Sequence, residues 1–193
     1  MTATPVRPGR PRSAQADDAI LDAALDQFCD FGYDGLSVER VAASAGVAKT
    51  TIYRRYPTKL DLVMAALERA KEGARAPVGS GSLREDLLDM ARSYHTMLVS
   101  ASVGRAIPMM LASKARSDEL AAAHAEFVRA RRAPGYELIR QGIARGELAA
   151  EADPAMIADM LFGAIFTRVF VTGDPTGEEY LVALVDRILG RPA

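Results

Sequence analysis

The chain has 193 residues, 49% hydrophobic and 25% charged, with a formal net charge of −1, which provides enough apolar content for the core of one large or two small domains. A single cysteine, Cys29, excludes an intrachain disulfide framework and fits a protein of the reducing cytoplasm. We expect no membrane span and no secretory signal, because no apolar run approaches roughly 20 residues and the start, MTATPVRPGRPRS, lacks an apolar core.

The first 14 residues contain three prolines and three arginines and show no apolar periodicity, so we expect a disordered basic arm at residues 1–14. Within it, Gly9-Arg10-Pro11 resembles the core of an AT-hook. Arg10 and Arg12 are therefore candidate DNA contacts, because extended arginine arms enter the narrow minor groove of A·T-rich DNA. A plain solvated tail is the alternative.

After a first helix at about residues 17–31, two short helices are predicted within residues 37–56. Ser37 can cap the first of them, and Gly46 ends it where a left-handed residue is needed. The second is rich in cations and hydroxyls and ends before Pro57. Two short helices joined by a glycine turn predict a DNA-binding helix-turn-helix.

Positive charge is concentrated in this motif. Between Gly35 and Leu60 there are five cations and one acid, Glu39, which gives a local charge of +4. The cations are Arg40, Lys49, Arg54, Arg55 and Lys59. This distribution, and not the net charge of the chain, indicates nucleic acid as the partner.

The run FGYDGLSVERVAASAGVAKTTIYRRYPTKLDLV closely resembles the N-terminal domain of the TetR family of transcriptional regulators. The shared residues follow a fixed order: Phe28, Phe31, Tyr33, Gly35, Ser37, Val41-Ala42, Ala45-Gly46-Val47, Thr51, Ile52-Tyr53, Tyr56, Lys59, Leu60 and Leu62. The resemblance is strong from Asp17 to about Leu67. It implies that the second short helix is the recognition helix.

Base contacts are expected from the first turn of that helix, which enters the major groove. Lys49 can donate to guanine, and the Thr50 methyl group can contact thymine. Tyr53 resembles the tyrosine of the family that donates its hydroxyl to a phosphate. The other candidates are polar side chains placed for phosphates or, for Arg54, for a base or a phosphate: Ser37, Thr51, Arg54, Arg55 and Lys59. For any one of them a solvated face is the alternative.

The rest of the chain shows no strand-type alternation, so the predicted fold is all-α with about nine helices. Further helices are expected at about residues 58–73, 83–99, 105–115, 118–145, 154–171 and 177–189, with Pro134 kinking or dividing the fourth of these. The Pro/Gly/Ser-rich stretch 74–82 has the composition of a boundary. We predict a helix-turn-helix domain at residues 15–60 and a helical effector-binding and dimerisation domain at residues 61–193.

The resemblance also implies a homodimer paired through the last two helices. The helix from Pro154 is apolar on more than one side, which is explained if its own core covers one side and a partner subunit the other. The predicted interface lies on these two helices: Leu161, Ile165, Tyr180, Leu181, Leu184, Val185 and Ile188. A monomer with a fully internal helix is the alternative.

A small-molecule effector bound among the middle helices is a further implication of the resemblance. Candidate pocket residues are aromatic or sulfur-bearing: Tyr94, Met97, Met109, Met110, Phe127, Tyr136, Phe162 and Phe166. Simple core packing is the alternative for each. We expect no metal and no cofactor, because Cys29, His95 and His124 share no ligand spacing.

The predicted function is therefore a sequence-specific DNA-binding regulator, a homodimeric repressor that a small-molecule effector releases from a palindromic operator. A constitutive DNA-binding regulator or architectural protein with no ligand is the alternative. An enzyme is not supported, because the sequence has no nucleophile elbow, no phosphate-binding glycine loop and no carboxylate–histidine cluster.

Overall fold

The computed structural model describes residues 12–70 and 79–191, which form nine α-helices and no strand. The helices are α1 (Arg12–Gly35), α2 (Val38–Ser44), α3 (Lys49–Arg55), α4 (Lys59–Ala70), α5 (Leu83–Val99), α6 (Ala101–Lys114), α7 (Asp118–Ala144), α8 (Pro154–Thr167) and α9 (Glu178–Ile188). A π-helix, Arg168–Thr172, directly follows α8. The all-α prediction is confirmed.

The described residues divide into two compact units. The first comprises residues 12–70 and 105–121, and the second comprises residues 79–104 and 122–191. This division differs from the predicted boundary after residue 60, because α4 packs along α1 and because Met110 and Leu120 complete the core of the first unit. Apolar spacing shows that a helix has a buried face, but it does not show which neighbour covers that face.

Helix α1 is the centre of the first unit, where it packs against α2 and α4, and α2 packs against α3. Fully buried apolar side chains from these helices form the core: Ile20, Ala24, Phe28, Val41, Ile52, Leu62 and Val63. Two local predictions are confirmed. The hydroxyl of Ser37 accepts a hydrogen bond from the amide of Arg40 at 3.4 Å, and Gly46 has a φ of 65°.

The start and the end of α1 both differ from a regular helix at residues 17–31. It begins at Arg12, so residues 12–14 of the predicted arm are helical. Near its end, Gly32 has φ 69° and ψ −176°, a conformation that is almost confined to glycine. The next residue, Tyr33, donates its buried backbone N–H to Ser113 Oγ at 3.2 Å. The break therefore seats this end of α1 against the 105–121 stretch of the same unit.

In the second unit α5 packs against both α8 and α9, and α8 packs against α9. Helix α7 continues through Pro134, so of the two predicted effects of that residue the division is wrong and the kink stays a prediction. Gly135, the residue after Pro134, lies within the helix and allows close packing; it does not form a turn. A Cβ atom added to Gly135 would lie 2.6 Å from Met90 Cε, and one added to Gly142 would lie 2.6 Å from Leu83 Cδ2, so these glycines let α5 and α7 approach closely.

The stretch Pro154–Thr172 corrects the expectation about apolar length. It has 19 residues and a mean hydropathy of 1.6, which is long and apolar enough to cross a membrane by those criteria. The core helix of a soluble protein passes the same test, and Ile157, Leu161 and Ile165 are indeed buried. However, only 22% of the residues in its most apolar 18-residue stretch are buried within the chain. Of the 19 residues, eight are exposed and seven are partly buried, so part of this surface is accessible in a single copy.

Candidate nucleic-acid interface

The predicted recognition helix, α3, presents one exposed polar strip. Lys49 and Tyr53 are one turn apart on it, Thr50 and Arg54 form the adjacent pair, and all four side chains are exposed. Ile52 points the opposite way and is only 1% exposed, because it packs into the core of the first unit. The helix is thus anchored by an apolar residue and offers cations, a hydroxyl and a phenol outward.

Lys49 is held by a contact that the sequence did not predict. Its Nζ atom is paired with Oε1 of Glu39, in the first turn of α2, and lies 5.5 Å from the centroid of the Tyr53 ring. The Ser37 hydroxyl donates to the other oxygen of Glu39, Oε2, at 3.0 Å. The hydrogen bond from Lys49, followed by the backbone and Ser37, lowers the pKa of Glu39 to about 2. The carboxylate is therefore ionised at neutral pH.

Lys59 lies at the start of α4, next to the break in α1. Its ammonium is 4.7 Å from the centroid of the Tyr33 ring and 3.5 Å from the backbone oxygen of Asp34. Thr51 is half-buried on the flank of α3, and Ser37 is half-buried at the start of α2. These three side chains are less accessible than the α3 strip.

Arg55 does not share the exposed strip. Its guanidinium forms a salt bridge of 2.7 Å with Asp17 of α1, and its side chain is only 20% exposed. A phosphate contact by Arg55 would require exchange of this partner, so the structure places it as a link between α1 and α3. The candidate Arg10 and the side chain of Arg12 lie outside the described residues.

Comparison with known proteins agrees with this geometry. Residues 20–66 match the family described as "Bacterial regulatory proteins, tetR family", and residues 77–188 match "Tetracyclin repressor-like, C-terminal domain". The chain belongs to the TetR family. Its predicted TetR resemblance is therefore confirmed, and it now extends over both parts of the chain.

Relatives of the TetR family match along nearly the whole length. The HTH-type transcriptional regulator YdeS of Bacillus subtilis is 31% identical over 92% of this chain and 89% of that protein. The DNA-binding transcriptional repressor TetR of Mycobacteroides abscessus is 31% identical over 94% of this chain and 93% of that protein. The crystal structure of the TetR family transcription regulator SCO0332 superposes with a TM-score of 0.71 at 27% identity, covering 93% of this chain and 99% of that one. The chain is thus a helix-turn-helix transcriptional regulator.

The residues predicted for a TetR-type dimer interface fall into two groups. Leu161, Ile165, Leu181 and Val185 are buried within their own chain, so they are core residues of the second unit, a correction to that prediction. Tyr180, Leu184 and Ile188 are partly exposed. The outer face of α8 instead carries two exposed methionines that were not predicted, Met156 and Met160. Their i, i+4 spacing on an apolar helix was the available signal.

The effector candidates are likewise divided. Met109 and Met110 belong to the first unit, where Met110 is buried in the core and Met109 packs against it. The other six, Tyr94, Met97, Phe127, Tyr136, Phe162 and Phe166, belong to the second unit. Two of these are in contact, since Tyr94 and Phe162 have ring centroids 4.7 Å apart, and burial raises the pKa of Tyr94.

A cation that the sequence did not single out joins this aromatic pair. The guanidinium of Arg132 lies 5.3 Å from the centroid of the Phe162 ring and 2.5 Å from Asp159 Oδ1. Nearby on α7, Arg131 contacts the sulfur of Met97 at 3.0 Å. A mixed aromatic and cationic cluster, which we call the Tyr94–Phe162–Arg132 cluster, therefore lies within the second unit.

Proposed function

We propose that this TetR-family regulator is a homodimeric, cytoplasmic repressor that binds a palindromic operator through α3 and is released by a small-molecule effector. The exposed strip of Lys49, Thr50, Tyr53 and Arg54 carries the proposal. Its side chains are hydrogen-bond donors that suit the acceptors of DNA, since lysine and arginine donate to guanine and phosphate, and tyrosine donates to phosphate. The first turns of α2 and α3 are adjacent, since Glu39 of α2 pairs with Lys49 of α3.

The uncovered face of α8 supports the homodimer. The exposed side of an apolar helix is stabilised when a second copy covers it, and a two-fold axis uses the same surface twice. The relevant residues are those that the chain leaves accessible on α8 and α9: Met156, Met160, Tyr180, Leu184 and Ile188. We place the interface on these residues.

The Tyr94–Phe162–Arg132 cluster supports the effector. The tilted rings of Tyr94 and Phe162 offer an apolar surface to a ligand, and the partly buried Arg132 guanidinium would bind an anionic group in exchange for Asp159. An effector that prefers one arrangement of the dimer shifts the population toward it. Release follows if that arrangement separates the two α3 helices by a distance that no longer fits successive major grooves, about 34 Å apart.

Selection from random DNA tests the operator. A two-fold dimer presents two identical recognition helices, so the enriched sequences are expected to be inverted repeats with a fixed spacing between half-sites. Footprinting of the best sequence should protect both half-sites equally. Enrichment of single half-sites, or no enrichment at all, would contradict the proposal.

A screen of small molecules for thermal stabilisation separates the effector-controlled repressor from a constitutive DNA-binding protein. Stabilising compounds are then tested for release of the selected operator. If compounds that stabilise the protein leave operator affinity unchanged, the regulator binds DNA without the proposed control.

Phosphate and base contacts are distinguished by their effects on selectivity. We expect Tyr53→Phe and Lys59→Ala to weaken binding to all duplexes alike, because phosphate contacts position the protein without reading sequence. The Lys59 variant should also reduce the slope of log K against log salt by about one. By contrast, Lys49→Ala should relax preference at one base pair by about tenfold. Competition binding with single-base operator variants measures the base preference of all three protein variants. An unchanged preference in Lys49→Ala would reject its role.

A further inference from the structure

Glu39 is the one acidic residue between Gly35 and Leu60, a segment with five cations. An acid beside a DNA-binding surface repels phosphates and lowers affinity. Yet Glu39 is fixed on both of its oxygens, since Oε1 accepts from Lys49 and Oε2 accepts from Ser37. Its contacts thus involve two side chains that are themselves candidate DNA contacts.

Glu39 restrains Lys49, whose flexible side chain would otherwise reach several different hydrogen-bond acceptors. A lysine ammonium has three N–H donors on a flexible four-carbon stem, and phosphate oxygens are the most abundant acceptors on a duplex. Glu39 takes one donor and sets the ammonium 5.5 Å from the centroid of the Tyr53 ring. Two donors remain, which is the number of acceptors that guanine presents in the major groove, O6 and N7.

We propose that Glu39 is a positioning residue for sequence readout: its carboxylate holds the Lys49 ammonium toward a base edge and withholds that charge from phosphates. The inference rests on the proposed role of α3 as recognition helix. In the complex the Glu39–Lys49 pair is retained, and Lys49 donates its two remaining hydrogens to the base. Glu39 thereby lowers affinity for non-operator DNA while it sharpens the choice of base.

The test compares full-length variants on the selected operator and on a scrambled duplex of equal length, at several salt concentrations from about 50 to 200 mM. Lys49→Met first identifies the base pair that Lys49 reads. Glu39→Gln is expected to relax preference at that same base pair by about fivefold. It should also tighten binding to the scrambled duplex about threefold and steepen its salt slope by about one, because the freed ammonium binds phosphate.

Two control variants separate position from charge. Glu39→Asp keeps the charge but is one methylene shorter, so it should relax the base preference without tightening the scrambled duplex. Glu151→Gln changes the net charge by the same amount as Glu39→Gln, but at an exposed residue of the second unit. Its base preference and its affinity for the scrambled duplex should stay at the wild-type values. Circular dichroism of each variant confirms that the helices are retained.

The double variant Glu39→Gln/Lys49→Met decides the mechanism. Because Glu39 acts through Lys49, the double variant should show no more loss of preference than Lys49→Met alone. Relaxation at a different base pair would overturn the inference, since Glu39 would then read a base itself. So would a Glu39→Gln protein whose preference matches that of Glu151→Gln. A wild-type protein that selects no operator would instead refute the proposed function.

Discussion

Replacement of Met160 by glutamate is expected to turn the dimer into a monomer without unfolding the chain. The Met160 side chain is 49% exposed in the single chain, so a carboxylate there remains solvated in the monomer. In the proposed dimer the same carboxylate would be desolvated without a partner, which costs several kcal/mol. Sedimentation analysis at micromolar concentration should show wild-type dimers and variant monomers. Operator affinity should fall about a hundredfold or more, because the two half-sites are no longer linked.

The matched control is Val99→Glu. Val99 is also a large exposed apolar residue of the second unit, 56% exposed, but it lies at the end of α5 and outside the proposed α8–α9 interface. It should leave the dimer and operator binding intact. A wild-type monomer at micromolar concentration, or a dimer that survives Met160→Glu, would show that the uncovered face of α8 has another partner or none.

The helix-turn-helix was predictable from the sequence because its determinants are local. The cap at Ser37 and the left-handed Gly46 act within a few residues, and the inward Ile52 follows from helical periodicity. These signals also give the exposed strip of α3, since a helix with one anchored face must present the other. Motif order then carried the family resemblance, which the comparisons confirmed.

Contacts between distant segments were not predictable. Nothing in residue spacing indicates that Arg55 pairs with Asp17 or that Glu39 holds Lys49, because both pairs depend on how helices cross. For the same reason, four of the seven residues predicted for the dimer interface on α8 and α9 are instead buried in their own unit. Both helices are apolar over much of their surface, so the pattern could not show that Leu161 faces its own unit while Met160 faces outward.

Gly32→Ala is expected to destabilise the first unit by about 2–4 kcal/mol. The φ of 69° and ψ of −176° at Gly32 cost an alanine about 1–3 kcal/mol. An added Cβ would lie 3.1 Å from both Met109 Sδ and Ser113 Oγ. Movement of Ser113 would also weaken the buried hydrogen bond from the Tyr33 amide, worth about 1 kcal/mol. Thermal unfolding at a fixed protein concentration should show a melting temperature lower by roughly 10 °C.

Gly146→Ala is the matched control, because Gly146 has a similar φ of 78° but no atom within 4 Å of an added Cβ. It should lose only about 1 kcal/mol, the cost of a left-handed alanine. Ser113→Ala removes the hydroxyl without adding a Cβ at residue 32, so it isolates the hydrogen bond to Tyr33. Equal melting temperatures for Gly32→Ala and Gly146→Ala would mean that the 105–121 stretch moves to accommodate the new methyl group at little cost in stability. The end of α1 would then not be held by that stretch, and the break at Gly32 would be a local feature of the turn into α2.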